Sequence, residues 1–214
     1  MIEKYFVTGV RLKWTCPGSF STVPYDGSIV LNPNRAAGPM IYDGLDDELY
    51  DLTLPHVSTL GLTKGMQIPY SWLYFWVGHT TKKMLSGGDV LTGYMTGCLT
   101  TLWMEKGCRY VGHIGTDDTN KAVSSLVKKT FAAAMPQDTT GFNAFAAWST
   151  AETEEKTMKF KKKDARGWVF ALVTTSGQFY SLLMFELGEG EWCVGGKKLV
   201  PPMNRVALLA QMLR

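Results

Sequence analysis

The feature that most constrains the fold is a pair of short segments, residues 99–103 and 108–114, that are rich in β-branched and aromatic side chains. The four residues 104–107 separate them and end in a glycine, which is typical of a β-hairpin loop. The sequence therefore predicts two antiparallel strands joined by a short turn.

The register of this predicted hairpin brings a thiol and an imidazole together. If Trp103 lies opposite Cys108, then Cys98 lies opposite His113 on the same face of the sheet. Directly opposed residues hold their Cβ atoms roughly 4.5–5.5 Å apart, which allows sulfur to reach a ring nitrogen. A facing thiol and imidazole are the minimum apparatus of a cysteine nucleophile with its base. The alternative that the spacing leaves open is a buried core cysteine with a packed histidine neighbour. The same alternation points Cys108 to the other face, where we expect a core residue.

The rest of the chain predicts an α+β fold. The pattern indicates a long central helix over about residues 119–134, capped by Asp117 or Asp118, a second hairpin over residues 168–187, and a C-terminal helix over residues 205–214. We predict one domain, residues 1–214, whose core is a sandwich-like mixed sheet.

Two further segments permit local predictions. Residues 68–77 are aromatic and fit either a strand or a helix. Residues 154–166 alternate acids and bases before a run of lysines, which favours a solvated loop or a lysine-guarded edge strand; a patch that docks an acidic partner is the alternative.

Composition restricts the classes of partner and cofactor. The net charge of +3 gives no reason to expect nucleic acid. Apolar runs are too short for a membrane span, so we expect no membrane partner, and the first residues do not form a cleaved export signal. The four cysteines and three histidines lack metal-site spacing, and no glycine-rich phosphate loop is present, so we expect free thiols, no metal and no cofactor.

The segment that leads into the first strand carries a family resemblance. Thr92-Gly93-Tyr94-Met95-Thr96-Gly97-Cys98, then a strand ending near His113, then a helix, resembles the bacterial toxin glutamine deamidases that include the Burkholderia lethal factor and the catalytic domain of cytotoxic necrotizing factors. That family has Leu-Ser-Gly-Cys where this chain has Met-Thr-Gly-Cys, so one apolar and one hydroxyl residue are exchanged for others of their kind. The similarity is sharpest over residues 89–131.

The resemblance implies an activity and three site residues. It makes Cys98 the nucleophile, His113 the base and Thr92 the residue that completes the site by orienting the imidazole. Six residues of unbroken strand span about 20 Å, so Gly93 and Gly97 must bend the chain if Thr92 is to approach Cys98. The family resemblance further implies a hydrolase that converts a specific glutamine of a host protein to glutamate through a thioester.

Cellular context follows from the same resemblance. It implies a virulence effector that is cytoplasmic in the producer, is exported by a dedicated secretion system and acts in the host cytosol. We expect a monomer whose partner is a host protein carrying the target glutamine.

Other functions fit the same residues. A cysteine protease or a transglutaminase would use the same dyad, and His79 is a second candidate base. In a third reading the chain is a non-catalytic protein-binding module with a buried Cys98 and a surface formed by Trp72, Tyr74 and Trp76.

Overall fold

A computed structural model describes residues 1–19, 25–33, 35–46, 49, 60–159 and 165–213. Strands predominate, and three α-helices accompany them, so the arrangement is the mixed α and β one that an α+β fold predicts. The strands are β1 Val10–Trp14, β2 Ile29–Leu31, β3 Met40–Leu45, β4 Gln67–Ile68, β5 Ser71–Trp72, β6 Thr80–Met84, β7 Val90–Thr92, β8 Leu99–Glu105, β9 Cys108–Ile114, β10 Thr140–Phe142, β11 Arg166–Val173, β12 Phe179–Gly188 and β13 Glu191–Val200. The helices are α1 Lys121–Ala134, α2 Thr150–Lys159 and α3 Arg205–Met212.

The strands form two sheets. The eight-stranded sheet has the order β4-β3-β1-β13-β12-β11-β7-β5, and the five-stranded sheet has the order β10-β8-β9-β6-β2. The outermost strands β4 and β5 of the larger sheet are separated in sequence only by Pro69 and Tyr70. The larger sheet must therefore curl until its two edges approach each other.

Three hydrophobic clusters connect these elements. Trp14, Trp72, Phe170 and Trp192 pack within the curled sheet. A second cluster holds side chains of both sheets, including those of β9, β11 and β12, and Cys98 belongs to it. The third packs α1 and α3 against the remaining face of the five-stranded sheet. The candidate residues thus lie where the two sheets share side chains.

Helix α1 confirms the predicted central helix with a different cap. Asn120 accepts hydrogen bonds from the backbone N–H groups of Ala122 and Val123, whereas Asp117 bonds to the preceding turn. Of the apolar residues with helical spacing, Val123, Val127 and Phe131 are buried, whereas Leu126 is 41% exposed. No helix in the described part of the chain is long and apolar enough to cross a membrane.

The first hairpin forms, but its predicted register is wrong by two residues. Glu105 lies opposite Cys108, which leaves a turn of only Lys106 and Gly107, both at positive φ (51° and 78°). Turns of this kind match the right-handed twist of the flanking strands, so pairing extends further than a four-residue loop allows. As a result His113 lies opposite Thr100, not opposite Cys98.

Residues 154–159 form part of a helix and not the predicted loop or edge strand. Helix α2 covers Thr150–Lys159, and Ser149 and Glu152 form a capping box at its start: Ser149 N donates to the Glu152 carboxylate (2.9 Å), and Glu152 N donates to Ser149 Oγ (3.2 Å). The lysine run at 161–163 lies outside the described residues.

Candidate active site

The imidazole of His113 is fixed by a hydrogen bond across the two sheets. Its Nδ1 lies 2.6 Å from Oγ1 of Thr92, and the same hydroxyl donates to the backbone carbonyl of Leu73 at 2.7 Å. A hydroxyl has one hydrogen, so with that hydrogen directed at Leu73 the Thr92 oxygen accepts from Nδ1–H. This assigns the tautomer of His113, with the lone pair on Nε2.

The second ring nitrogen of His113 has no hydrogen-bond partner among the residues that the structure describes. The side chain is fully buried and its ring lies 5.1 Å from that of Phe75. Burial lowers the pKa of His113 to about 3, because a charged imidazolium would lose its hydration. At neutral pH the group is therefore a neutral imidazole with a free lone pair.

Cys98 lies directly before β8, and its side chain is 1% exposed. Its sulfur is 3.2 Å from Oγ1 of Thr116. Burial raises the pKa of the thiol, and the hydrogen bonds from Thr116 offset this only in part. Cys98 is thus a protonated thiol in the resting protein, not half of a thiolate–imidazolium pair.

The corrected register makes Cys98 and His113 diagonal neighbours. Extending the ladder one step beyond Leu99 and Ile114 sets Cys98 against Gly115, on the same face as His113 two residues away. Diagonal positions lie about 7–8 Å apart at their Cα atoms, further than directly opposed ones. The sulfur bonds to Thr116 and not to His113.

The position across from Cys98 carries no side chain. A Cβ at Gly115 would overlap the backbone oxygen of Trp76, and Gly115 N–H donates to the carbonyl of His79 at 2.9 Å. Close backbone approach therefore requires glycine here.

Thr92 reaches the imidazole because the chain leaves β7 directly after it. A Cβ at Gly93 would overlap the ring of Phe170, so the backbone passes close to β11, and Met95 N–H then donates to Val169 O at 2.8 Å. The resemblance thus selected a residue that does contact His113, while the catalytic role of Thr92 remains a prediction.

Other sequence candidates have different environments. His79 is buried and lies 3.1 Å from both Ser28 Oγ and Asp26 Oδ1, so it belongs to another cluster. Cys108 is half-buried and does not belong to the core. His56, the remaining histidine of the chain, lies outside the described residues.

The proposed aromatic surface is wrong. Trp72 and Tyr74 are each 3% exposed and pack in the core of the curled sheet. Residues 68–77 fitted either a strand or a helix, and the structure has only short strands there: β4 ends at Ile68 and β5 covers Ser71–Trp72.

Thr116 is the residue that sequence reasoning missed. It contacts Cys98 from beyond the end of β9, and a threonine two residues after a strand carries no pattern that marks such a contact.

Within the described ranges, no three His, Cys, Asp or Glu side chains come together as a metal site requires. Comparisons with protein-family models, with curated proteins and with solved structures found no match to this chain.

Proposed function

We propose that the chain is a cysteine-dependent protein-glutamine deamidase of toxin type, with Cys98 as nucleophile, His113 as base and Thr92 as the residue that orients the base. In this proposal residues 1–214 form one deamidase-like domain in which the two sheets pack as a sandwich. The observation that carries it is the Leu73–Thr92–His113 hydrogen-bond chain, which leaves a buried Nε2 lone pair on the face that also carries Cys98.

The first half-reaction transfers a proton as a bond forms. Nε2 of His113 takes the proton from the Cys98 thiol while sulfur attacks the side-chain carbonyl carbon of a substrate glutamine. Both groups are neutral at rest, because burial lowers the pKa of His113 to about 3 and raises that of Cys98. Proton transfer therefore accompanies attack and does not precede it.

Release of ammonia completes the first half-reaction, and attack of water in the second half-reaction then releases glutamate. The imidazolium returns its proton to the amide nitrogen, the C–N bond breaks, and ammonia leaves a thioester on Cys98. His113 then removes a proton from water, whose oxygen attacks the thioester carbon. The C–S bond breaks, the imidazolium returns its proton to sulfur, and the free thiol and the carboxyl group of the product result. The Thr92 oxygen accepts from Nδ1–H throughout, which keeps Nε2 directed at the reacting atoms.

Burial imposes a condition on this mechanism. Cys98 is 1% exposed and His113 is fully buried, so the side chains that cover them must move before a glutamine can reach the sulfur. Sulfur must also exchange its contact with Thr116 for one with His113. Substrate binding would supply both movements.

The same burial favours a second candidate, in which Cys98 is a core cysteine and the protein is not an enzyme. Buried thiols with raised pKa values are ordinary packing groups. The two candidates differ in one consequence, since only the deamidase changes the mass of another protein.

Peptide mass spectrometry of a host-cell lysate tests the proposal. Wild-type protein should convert a specific glutamine to glutamate, a gain of about one dalton that Cys98→Ala abolishes. Cys108→Ala is the matched control and should retain the activity, because Cys108 lies at the far end of the hairpin beside the turn. A lysate in which wild type and Cys98→Ala give the same glutamine masses contradicts the proposal and supports the core cysteine.

A further inference from the structure

A cavity of about 550 Å³ lies where the two edges of the curled sheet meet. Its walls come from residues 35–39, residues 67–72 and Lys83 of β6. None of the lining residues belongs to the candidate active site. A volume of this size is within the range of small-molecule sites, roughly 300–1,000 Å³.

Partly buried hydrogen bonds hold two of these walls together. The hydroxyl of Tyr70 donates to the carbonyl of Gly38 at 2.7 Å and accepts from Trp14 Nε1 at 2.7 Å. Asn32 fixes the following segment, with Nδ2 donating to Trp72 O at 3.0 Å and Oδ1 accepting from Tyr74 N at 2.8 Å. The cavity is therefore formed before any ligand binds, which reduces the entropic cost of binding.

The charges of the cavity are one-sided. Arg35 and Lys83 line it, and none of the acidic residues that the structure describes does so. Neither cation forms an ion pair with another described residue, whereas the adjacent Lys82, on the opposite face of β6, lies 2.7 Å from the Glu105 carboxylate. Two unpaired cations facing one concave space create a positive potential that attracts anions.

Neutral donors and apolar groups complete the walls. Ser71, which carries a hydroxyl, and Gln67, which carries an amide, are among the lining residues. Trp72 also lines the cavity, and its buried Nε1 has no acceptor among the described residues. Ile68 and Pro69 offer apolar contact. An isolated inorganic ion would use the charges and leave most of this surface without contact.

We propose that this cavity binds a small organic molecule that carries a phosphate or carboxylate group, with Arg35 and Lys83 holding the anion. The guanidinium of Arg35 can pair with two oxygens at once, and Lys83 adds a point charge from the other sheet. This site is separate from the proposed deamidase reaction and does not depend on it.

Titration by nuclear magnetic resonance tests the site directly. The probes are phenyl phosphate and benzoate, with inorganic phosphate as the anion alone and benzyl alcohol as the ring alone. The indole N–H signal of Trp72, assigned with Trp72→Phe, reports occupancy. Phenyl phosphate or benzoate should shift it saturably and more tightly than either partial probe, and which one binds tighter identifies the anion.

Charge variants complete the test. Arg35→Gln and Lys83→Gln should each weaken binding about tenfold, because each removes half of the positive charge. Lys64→Gln is the matched control, since this lysine is exposed and lies beside Asp43 outside the cavity, and it should bind like wild type. Absence of saturable binding, equal binding of benzyl alcohol, or unchanged affinity in both cavity variants overturns the proposal.

Discussion

Oγ1 of Thr92 and Nδ1 of His113 lie 2.6 Å apart although one residue belongs to the eight-stranded sheet and the other to the five-stranded sheet. The bond therefore joins the sheets and also fixes which nitrogen of the imidazole carries the proton. Removing it should affect both stability and chemistry.

Thr92→Val tests this bond. Valine has nearly the same shape but leaves His113 Nδ1–H and the carbonyl of Leu73 unpaired in a fully buried place. We expect a loss of about 1–3 kcal/mol in the free energy of unfolding, measured by urea denaturation. Thr92→Ser keeps the hydroxyl and should lose much less; equal losses in both variants would show that the methyl group, not the hydrogen bond, matters.

The pKa of His113 makes stability depend on pH. Burial lowers the pKa of His113 to about 3 in the folded protein, whereas the pKa of a solvated histidine in the unfolded chain is 6.5. Below pH 6.5 the unfolded chain takes up a proton that the folded protein does not, so this contribution to stability is lost as pH falls towards 3. The slope should be about 1.4 kcal/mol per pH unit within that window.

Urea denaturation of wild type and His113→Gln between about pH 5 and 7 isolates this term, because few carboxylates titrate there. The variant should show a shallower slope. His79→Gln serves as the control for a second buried histidine. Parallel slopes in wild type and His113→Gln would mean that His113 is not buried as a neutral group.

The thiols should differ in their rates of alkylation. Cys98 is buried with a raised pKa, and burial raises the pKa of Cys16 to about 12. Cys108 is only half-buried. Iodoacetamide followed by peptide mapping should modify Cys108 first and Cys98 far more slowly until the protein is unfolded. Faster modification of Cys98 than of Cys108 in the folded protein would contradict the burial of Cys98.

Substitutions in the turn of the first hairpin should change the stability of the protein according to the φ angle of the residue that is replaced. Gly107 has φ of 78° with nothing near its missing side chain, so Gly107→Ala adds only backbone strain. We expect a loss of about 1 kcal/mol in thermal or urea denaturation. Lys106→Asn should be neutral or stabilising, because asparagine tolerates the φ of 51° better. A stabilising Gly107→Ala would contradict the two-residue turn.

Much of the fold could be predicted because local patterns and tertiary packing agree. The strand pairs around 104–107 and around 176–177 and the helix α1 all form. The register failed because residues 104–107 fit a four-residue loop as well as a two-residue turn, and only the φ angles of Lys106 and Gly107 separate the two.

The sequence contains a helix-start signal for α2, which the alternating charges of the following residues led us to overlook. Ser149 and Glu152 have the spacing of a capping box, which is a stronger indication of a helix start than alternating charge is of a loop. The contact between Cys98 and Thr116 had no such signal, since it depends on how the chain turns after β9.

The most direct test of the central claim uses a purified target protein in water labelled with heavy oxygen. If Cys98 forms a thioester that water hydrolyses, the modified glutamine should gain about three daltons in heavy-oxygen water and about one in ordinary water. Cys98→Ser and His113→Gln should both abolish this change, and Cys108→Ala should not. Undiminished conversion by Cys98→Ser, or conversion by no form of the protein, would contradict the account.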